Sequence, residues 1–173
     1  MELSGSKVIA AERQKVWEAL NDPEILQAAI PGCTEMTGSP DTGFEASVTH
    51  KIAPVKATFK GAVTLSNIVA GESYTITGEG KGGAAGFASG GADVRLAEHA
   101  DGTELIYDVK AKVGGKLAQL GSRLIDSVAK KLADQFFTRL QEQIGGPAVA
   151  VDDAAEPDEK DGEKKGLWKR LTG

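Results

Sequence analysis

Phe44, Ala46, Val48, His50 and Ile52 share one parity, and Glu45, Ser47, Thr49 and Lys51 share the other. The same period of two returns in Val55, Ala57, Phe59, Val63 and Leu65, then in Tyr74 and Ile76, and in Val94 and Leu96. It returns once more in Leu105, Tyr107, Val109, Ala111 and Val113. Alternation with one polar face predicts an antiparallel sheet covered on one side only. The cover must follow Gly114-Gly115, because Leu117, Leu120, Leu124, Val128, Leu132, Phe136, Leu140 and Ile144 then recur at spacings of three and four. Such a stripe predicts one helix lying on a sheet over residues 116–144, roughly 43 Å long at 1.5 Å per residue.

Before the meander, Leu3 to Ala10 reads as a strand and Glu12 to Leu20 as a helix bearing Val16, Trp17 and Leu20 on one face. Asp22-Pro23 starts a second short helix, with a carboxylate at the cap and proline in the first turn. Pro31-Gly32 ends it. Strand, two small helices, meander and long closing helix define an α+β, helix-grip architecture, expected over residues 1–146.

The composition changes after Gly145-Gly146-Pro147. Residues 147–163 carry the acids of the tail and a single base, Lys160, and read as a self-repelling, flexible linker. Residues 164–173 reverse the sign. Leu167, Trp168 and Leu171 share a helical face, with Lys164, Lys165, Lys169 and Arg170 around it. Each base near an anionic leaflet contributes about 1 kcal/mol. Partial burial of the tryptophan and leucines adds roughly 3–5 kcal/mol. Ordering the segment costs several kcal/mol in return. The expected outcome is weak, reversible attachment to an anionic membrane surface.

Single residue types narrow the chemistry. Cys33 is the one cysteine, so a disulfide framework and a multi-cysteine metal site are excluded. With His50 and His99 as the two histidines, a histidine-based metal centre is not expected. A formal charge of −5 gives no reason to expect nucleic-acid binding. No apolar run approaches the roughly 20 residues of a membrane span, and MELSGSK lacks an export-signal pattern, so a reduced, cytoplasmic setting is expected.

Gly78-Glu79-Gly80-Lys81-Gly82-Gly83 matches the dinucleotide pattern G-x-G-x-x-G. That pattern needs a helix directly after it, and Ala84 to Gly91 holds three further glycines. A glycine-rich hairpin with bulges is the better reading. Cys33 has no neighbouring base in sequence and reads as a small core residue. His50 lies on the apolar parity, either satisfied in the core or orienting a polar head group in a greasy pocket. Tyr74 and Tyr107 share that parity and that ambiguity. No carboxylate joins them, so acid–base chemistry has few candidates.

Aromatic residues make up only 5% of the chain, and the inward faces are rich in alanine and glycine. Such a sheet cannot fill the space beneath a long helix from its own side. Parity then nominates a ligand-binding set: Phe44, Val48, His50, Ala57, Phe59, Tyr74, Ile76, Phe87, Tyr107 and Val109 from the sheet. Leu120, Leu124, Val128, Ala129, Leu132 and Phe136 join from the helix.

Several of these segments together resemble the carbon monoxide dehydrogenase G-subunit family, within the START-like (polyketide cyclase/dehydrase and lipid-transport, or SRPBCC) superfamily. The carrying residues are Val16-Trp17-Glu18-Ala19-Leu20-Asn21-Asp22-Pro23 and Ile30-Pro31-Gly32-Cys33. Pro54-Val55-Lys56-Ala57, Phe59-Lys60-Gly61 and the glycines from Gly78 to Gly91 follow, and the stretch Val113 to Ile125 (VGGKLAQLGSRLI) is the most specific. One departure is Ala53, where glycine is usual before the proline. The resemblance implies a non-catalytic accessory protein that recruits a molybdenum hydroxylase, such as carbon monoxide dehydrogenase, to the inner face of the cytoplasmic membrane. It also implies binding of a respiratory quinone, menaquinone or ubiquinone, between sheet and helix, with no covalent cofactor. Two alternatives stay open: a small cyclase- or hydrolase-type enzyme using His50 and a tyrosine, and a docking factor whose groove is filled by side chains.

Overall fold

The structure is a computed structural model, and it describes residues 1–52 and 55–145. Seven strands form one antiparallel sheet: β1 (Glu2–Ile9), β2 (Cys33–Ser39), β3 (Gly43–Ile52), β4 (Val55–Val69), β5 (Ser73–Lys81), β6 (Phe87–His99) and β7 (Gly102–Gly114). Their order is β1-β7-β6-β5-β4-β3-β2, so each hairpin from β2 to β7 pairs with its sequence neighbour and the first strand closes against the last. Helices α1 (Arg13–Leu20) and α2 (Pro23–Ala29) lie between β1 and β2, and α3 (Ser122–Ile144) follows the sheet.

Local chemistry explains most of these boundaries. The Asp22 carboxylate accepts from the Glu24 amide at 2.9 Å, and Pro23 occupies the first turn, as the sequence predicts for α2. The glycine-rich segment is a hairpin: Gly78 and Gly80 lie in β5, a single 3₁₀ turn spans Gly83–Ala85, and β6 begins at Phe87. No helix follows the glycines there, so the geometry of a dinucleotide cradle is not formed.

The closing helix is shorter than the periodicity implies. Gly115–Leu120 form a 3₁₀ turn, and α3 starts only at Ser122. Between them Gly121 sits at φ 91°, a conformation that side-chain-bearing residues rarely adopt and that interrupts helical hydrogen bonding. Spacings of three suit a 3₁₀ turn as well as an α-helix, which is why Leu117 and Leu120 read as helical. The 23 residues of α3 span roughly 35 Å. Strand β2 (CTEMTGS) carries no alternating apolar signal and is held by its pairing with β3.

The core is gathered at one end. Ile9, Val16, Ala19, Leu20, Ala29, Val94, Leu96, Leu105, Leu140 and Ile144 are buried together where α1, α2 and the last turns of α3 meet β1, β6 and β7. Thr103 is buried beside them and donates to the Ala11 carbonyl at 2.8 Å, and the Ala10 amide donates to Gln141 Oε1 at 2.7 Å.

Candidate functional site: an apolar cavity under the long helix

Beside that core, with Leu20, Val94 and Leu105 bordering both, sheet and helix part. A cavity of about 470 Å³ lies between them, within the roughly 300–1,000 Å³ range of small-molecule sites. Every strand contributes to its wall: Leu3, Met36, Phe44, Ala46, His50, Gly61, Val63, Leu65, Tyr74, Ile76, Ala92, Val94, Leu105, Tyr107 and Val109. Leu20 comes from α1, Leu26, Ile30 and Pro31 from α2 and its exit, and Leu132, Ala133, Phe136 and Phe137 from α3. Small residues make the space. Ala46, Gly61 and Ala92 face it where larger side chains would fill it. Among the described residues the lining contains no carboxylate.

Three side chains carry the polarity. Tyr74 is 6% exposed, and Trp17 meets its ring edge-on with centroids 5.3 Å apart. Burial pushes its phenol far above the usual range, so it stays protonated. Among the described residues no group hydrogen-bonds Tyr74 Oη. The enclosed side-chain atom without a partner there is Gln141 Nε2, so Tyr74 Oη is not sealed in the core but stays accessible from the cavity that the residue lines. Tyr107 stacks on Phe137 at 5.4 Å, and its ring lies over Gly5, where an added Cβ would come within 2.8 Å of Tyr107 Oη. His50 is half-buried, and desolvation lowers its pKa below the ordinary 6.5, which favours neutral imidazole at neutral pH.

The turn after α2 fixes His50. Gly32, at φ 78°, accepts from the Thr49 amide at 3.0 Å, and a Cβ at Gly32 would collide with the Thr49 carbonyl and approach the His50 ring. The segment Ile30-Pro31-Gly32 therefore forms a wall of the cavity and seats the imidazole in one device.

Of the residues nominated from parity, Phe44, His50, Tyr74, Ile76, Tyr107, Val109, Leu132 and Phe136 line this cavity. Leu120, Leu124, Val128 and Ala129 do not. They line a second apolar hollow of about 150 Å³, with Val113, Leu117 and Ile125, and Leu132 borders both spaces. Four others lie elsewhere. The ring of Phe59 rests over Gly82, and that of Phe87 over Gly114 on the outer face, where Phe87 is 49% exposed. Val48 stands between its cross-strand partners Cys33 and Phe59. Ala57 opposes His50 in register, and its single methyl does not reach the space that the imidazole does.

Residues of the wall that parity alone did not nominate include Ala46, Val63, Leu65, Val94 and Leu105. All five lie in the alternating runs and were readable from them. Leu26, Ile30, Pro31 and Met36 were not, since only the docking of α2 and β2 brings them to the sheet. Cys33 is half-buried, its Sγ donates to the Glu35 carbonyl at 3.1 Å, and burial raises its pKa, so it is poorly suited to act as a thiolate. His99 is exposed at the end of β6, its Nδ1 accepting from the Asp101 amide in the turn that follows. No cluster of three metal-ligating side chains occurs among the described residues, and no described helix is long and apolar enough to cross a membrane. The nominated tip residues Lys164, Lys165, Leu167, Trp168, Lys169, Arg170 and Leu171, with the linker before them, lie outside the described residues.

A curved antiparallel sheet gripping one long helix around an apolar cavity defines a START-like, helix-grip protein. Solved structures share this form. A conserved protein of Geobacillus kaustophilus is 31% identical with a TM-score of 0.78, over 84% of this chain and 95% of that one. More distant are proteins of Chromobacterium violaceum (16%, TM-score 0.60, 83% and 96% covered) and Thermus thermophilus (11%, 0.62, 87% and 100%), which share the fold alone. No curated protein matches. The chain belongs to the carbon monoxide dehydrogenase G-subunit (CoxG) family, whose model matches residues 5–145. Membership suggests a role associated with carbon monoxide dehydrogenase, in an accessory capacity.

Proposed function

We propose that this protein is a non-catalytic carrier of a lipophilic ligand, a respiratory quinone of the menaquinone or ubiquinone class, serving a molybdenum hydroxylase such as carbon monoxide dehydrogenase. The observation that carries the reading is the 470 Å³ apolar cavity lined by Tyr74, whose phenol stays protonated and has no hydrogen-bond partner among the described residues. A quinone carbonyl supplies the acceptor that Tyr74 Oη lacks, and neutral His50 offers a second donor on the same wall. Hydrogen bonds of this kind orient the head group, while burial of its ring and chain supplies most of the affinity. A polyprenyl chain longer than the main cavity continues past Leu132 into the second hollow. The absence of a carboxylate from the lining among the described residues supports a binding role over acid–base catalysis by His50 and a tyrosine.

In this reading the tip at residues 164–173 brings the carrier to the anionic inner face of the cytoplasmic membrane, from which a water-insoluble quinone must be drawn. The test is organic extraction of the purified full-length chain followed by mass spectrometry. Recovery of one polyprenyl quinone in near-stoichiometric amount is expected. Recovery of no lipid, or of bulk phospholipid alone, overturns the proposal.

A further inference from the structure

Outward-facing cations converge on the end of the sheet where the second hollow lies. Across the outer face Lys60 opposes Lys81, Lys81 opposes Phe87, and Phe87 opposes Gly114. Lys112 opposes Ser89 one outward position further along β7. Lys116 and Arg123 extend the group along the 3₁₀ turn and the first turn of α3, and all five cations are exposed. The ion pairs among the described residues are Lys7–Asp134 and Arg13–Glu98, so none of the five is neutralised by one. Three acids, Glu35, Glu45 and Glu79, line an outer-face hollow together with Lys60 and Lys81 and offset part of their charge.

Two large apolar side chains stand exposed among these charges. Phe87 is 49% exposed on the outer face, and Leu124 is 41% exposed at the rim of the hollow, so they flank the last residues of β7 from its two sides. Lysines with long apolar stems around an aromatic tip suit the headgroup layer of a bilayer, where the ring sinks and the ammonium groups stay wet. A protein partner fits less well, because lysine is depleted at protein interfaces and arginine enriched, whereas four of these five cations are lysine.

We infer that this end of the folded domain is itself a docking surface for an anionic lipid bilayer. It is formed by residues other than those of the tip at 164–173, at the end of α3 opposite to Gly145. Docked this way, the second hollow opens toward the acyl region, whatever lipophilic molecule the cavity takes. Each lysine removed near an anionic surface lowers partitioning about fivefold, and salt weakens it with a screening length of about 10 Å at 0.1 M.

The experiment uses the full-length chain with its tip neutralised by Lys164→Gln, Lys165→Gln, Trp168→Ala, Lys169→Gln and Arg170→Gln. Its co-sedimentation is measured with phosphatidylcholine vesicles containing or lacking phosphatidylglycerol. Retained binding to the anionic vesicles alone is expected. Adding Lys81→Gln and Lys112→Gln should lower partitioning about 25-fold, and Phe87→Ser should lower it severalfold. Lys15→Gln, on α1 at the other end, should leave it unchanged, with circular dichroism confirming the fold of each variant. No binding by the tip-neutralised chain, or binding that the Lys81 and Lys112 changes leave intact, overturns the inference. Loss of capture of a carbon monoxide dehydrogenase-type enzyme with vesicle binding intact overturns it in favour of an acidic protein partner.

Discussion

From Phe136 to Ile144, helix α3 lies on a floor of Ile9, Leu96 and Leu105, and its Leu140 and Ile144 are buried. From Ser122 to Leu132 it borders the second hollow, which Val113 of β7 and Leu117 and Leu120 of the 3₁₀ turn also line. Leu124 is exposed there, and Val128 and Leu132 only half-buried. The apolar stripe of the helix is continuous across both halves; what changes is the floor. One end of the molecule is filled and holds the fold together, and the other is hollow and holds space. A single helix thus serves stability with Leu140 and Ile144 in its last turns, walls the main cavity with Leu132, Ala133, Phe136 and Phe137 at its middle, and borders the second hollow with its first turns.

The contrast is sharpest in a matched pair of truncations. Leu140→Ala, at 0% exposure, should destabilise by about 2–5 kcal/mol. Leu124→Ala, at 41% exposure, should change stability by roughly 0.5 kcal/mol or less. Urea unfolding of both variants measures the difference, and equal losses would show that the hollow end is also a core.

Next in size is a substitution in β5, next to Val63 of the cavity wall. Gly78 faces Val63 across the ladder, and an added Cβ would collide with Val63 Cγ1 and come within 2.6 Å of the Ala62 carbonyl. Gly78→Ala should cost about 1–3 kcal/mol through overpacking, in spite of the cavity nearby. Ala92→Phe, which points into the cavity, should cost under about 1 kcal/mol because it fills a void instead of displacing atoms. It should nevertheless abolish retention of extractable lipid. Intact lipid retention with an intact fold would place the ligand outside this cavity.

Smaller still is the loss of one hydrogen bond. Tyr74→Phe keeps the ring against Trp17 and removes only the hydroxyl, so ligand retention should fall tenfold or less, in line with about 0.5–1.5 kcal/mol for a neutral bond. An unchanged affinity would leave Tyr74 a purely apolar part of the wall.

The smallest effect is a pH slope from His50. Its folded pKa is depressed below 6.5 by desolvation. The unfolded chain therefore takes a proton first as pH falls through 6.5, and stability declines from there down to the lower folded value. Above pH 6.5 this contribution is complete and flat. Urea midpoints above and below that value should show the slope in the natural chain and a shallower one in His50→Leu.

Alternation from Phe44 to Val113 and the stripe ending at Ile144 were enough, from sequence, to predict the meander, its inward face and a helix on top. Asp22-Pro23 announced α2 because capping is a local transaction between neighbours. The sequence also implied that alanine and glycine on the inward parity leave volume uncovered, since side-chain size is a property of each residue alone. Its reach stopped where distance along the chain and distance in space part company. Gly121 breaks a stripe whose spacing suits a 3₁₀ turn and an α-helix alike, so backbone conformation and not periodicity decided where α3 begins. Parity names a face but not a position along the curved sheet. It could not tell Tyr74 in the main cavity from Val128 in the second hollow, nor see Phe59 and Phe87 turn onto glycines. Leu26, Ile30, Pro31 and Met36 became a wall only when α2 and β2 docked against strands far along the chain, and that packing exists in no segment by itself.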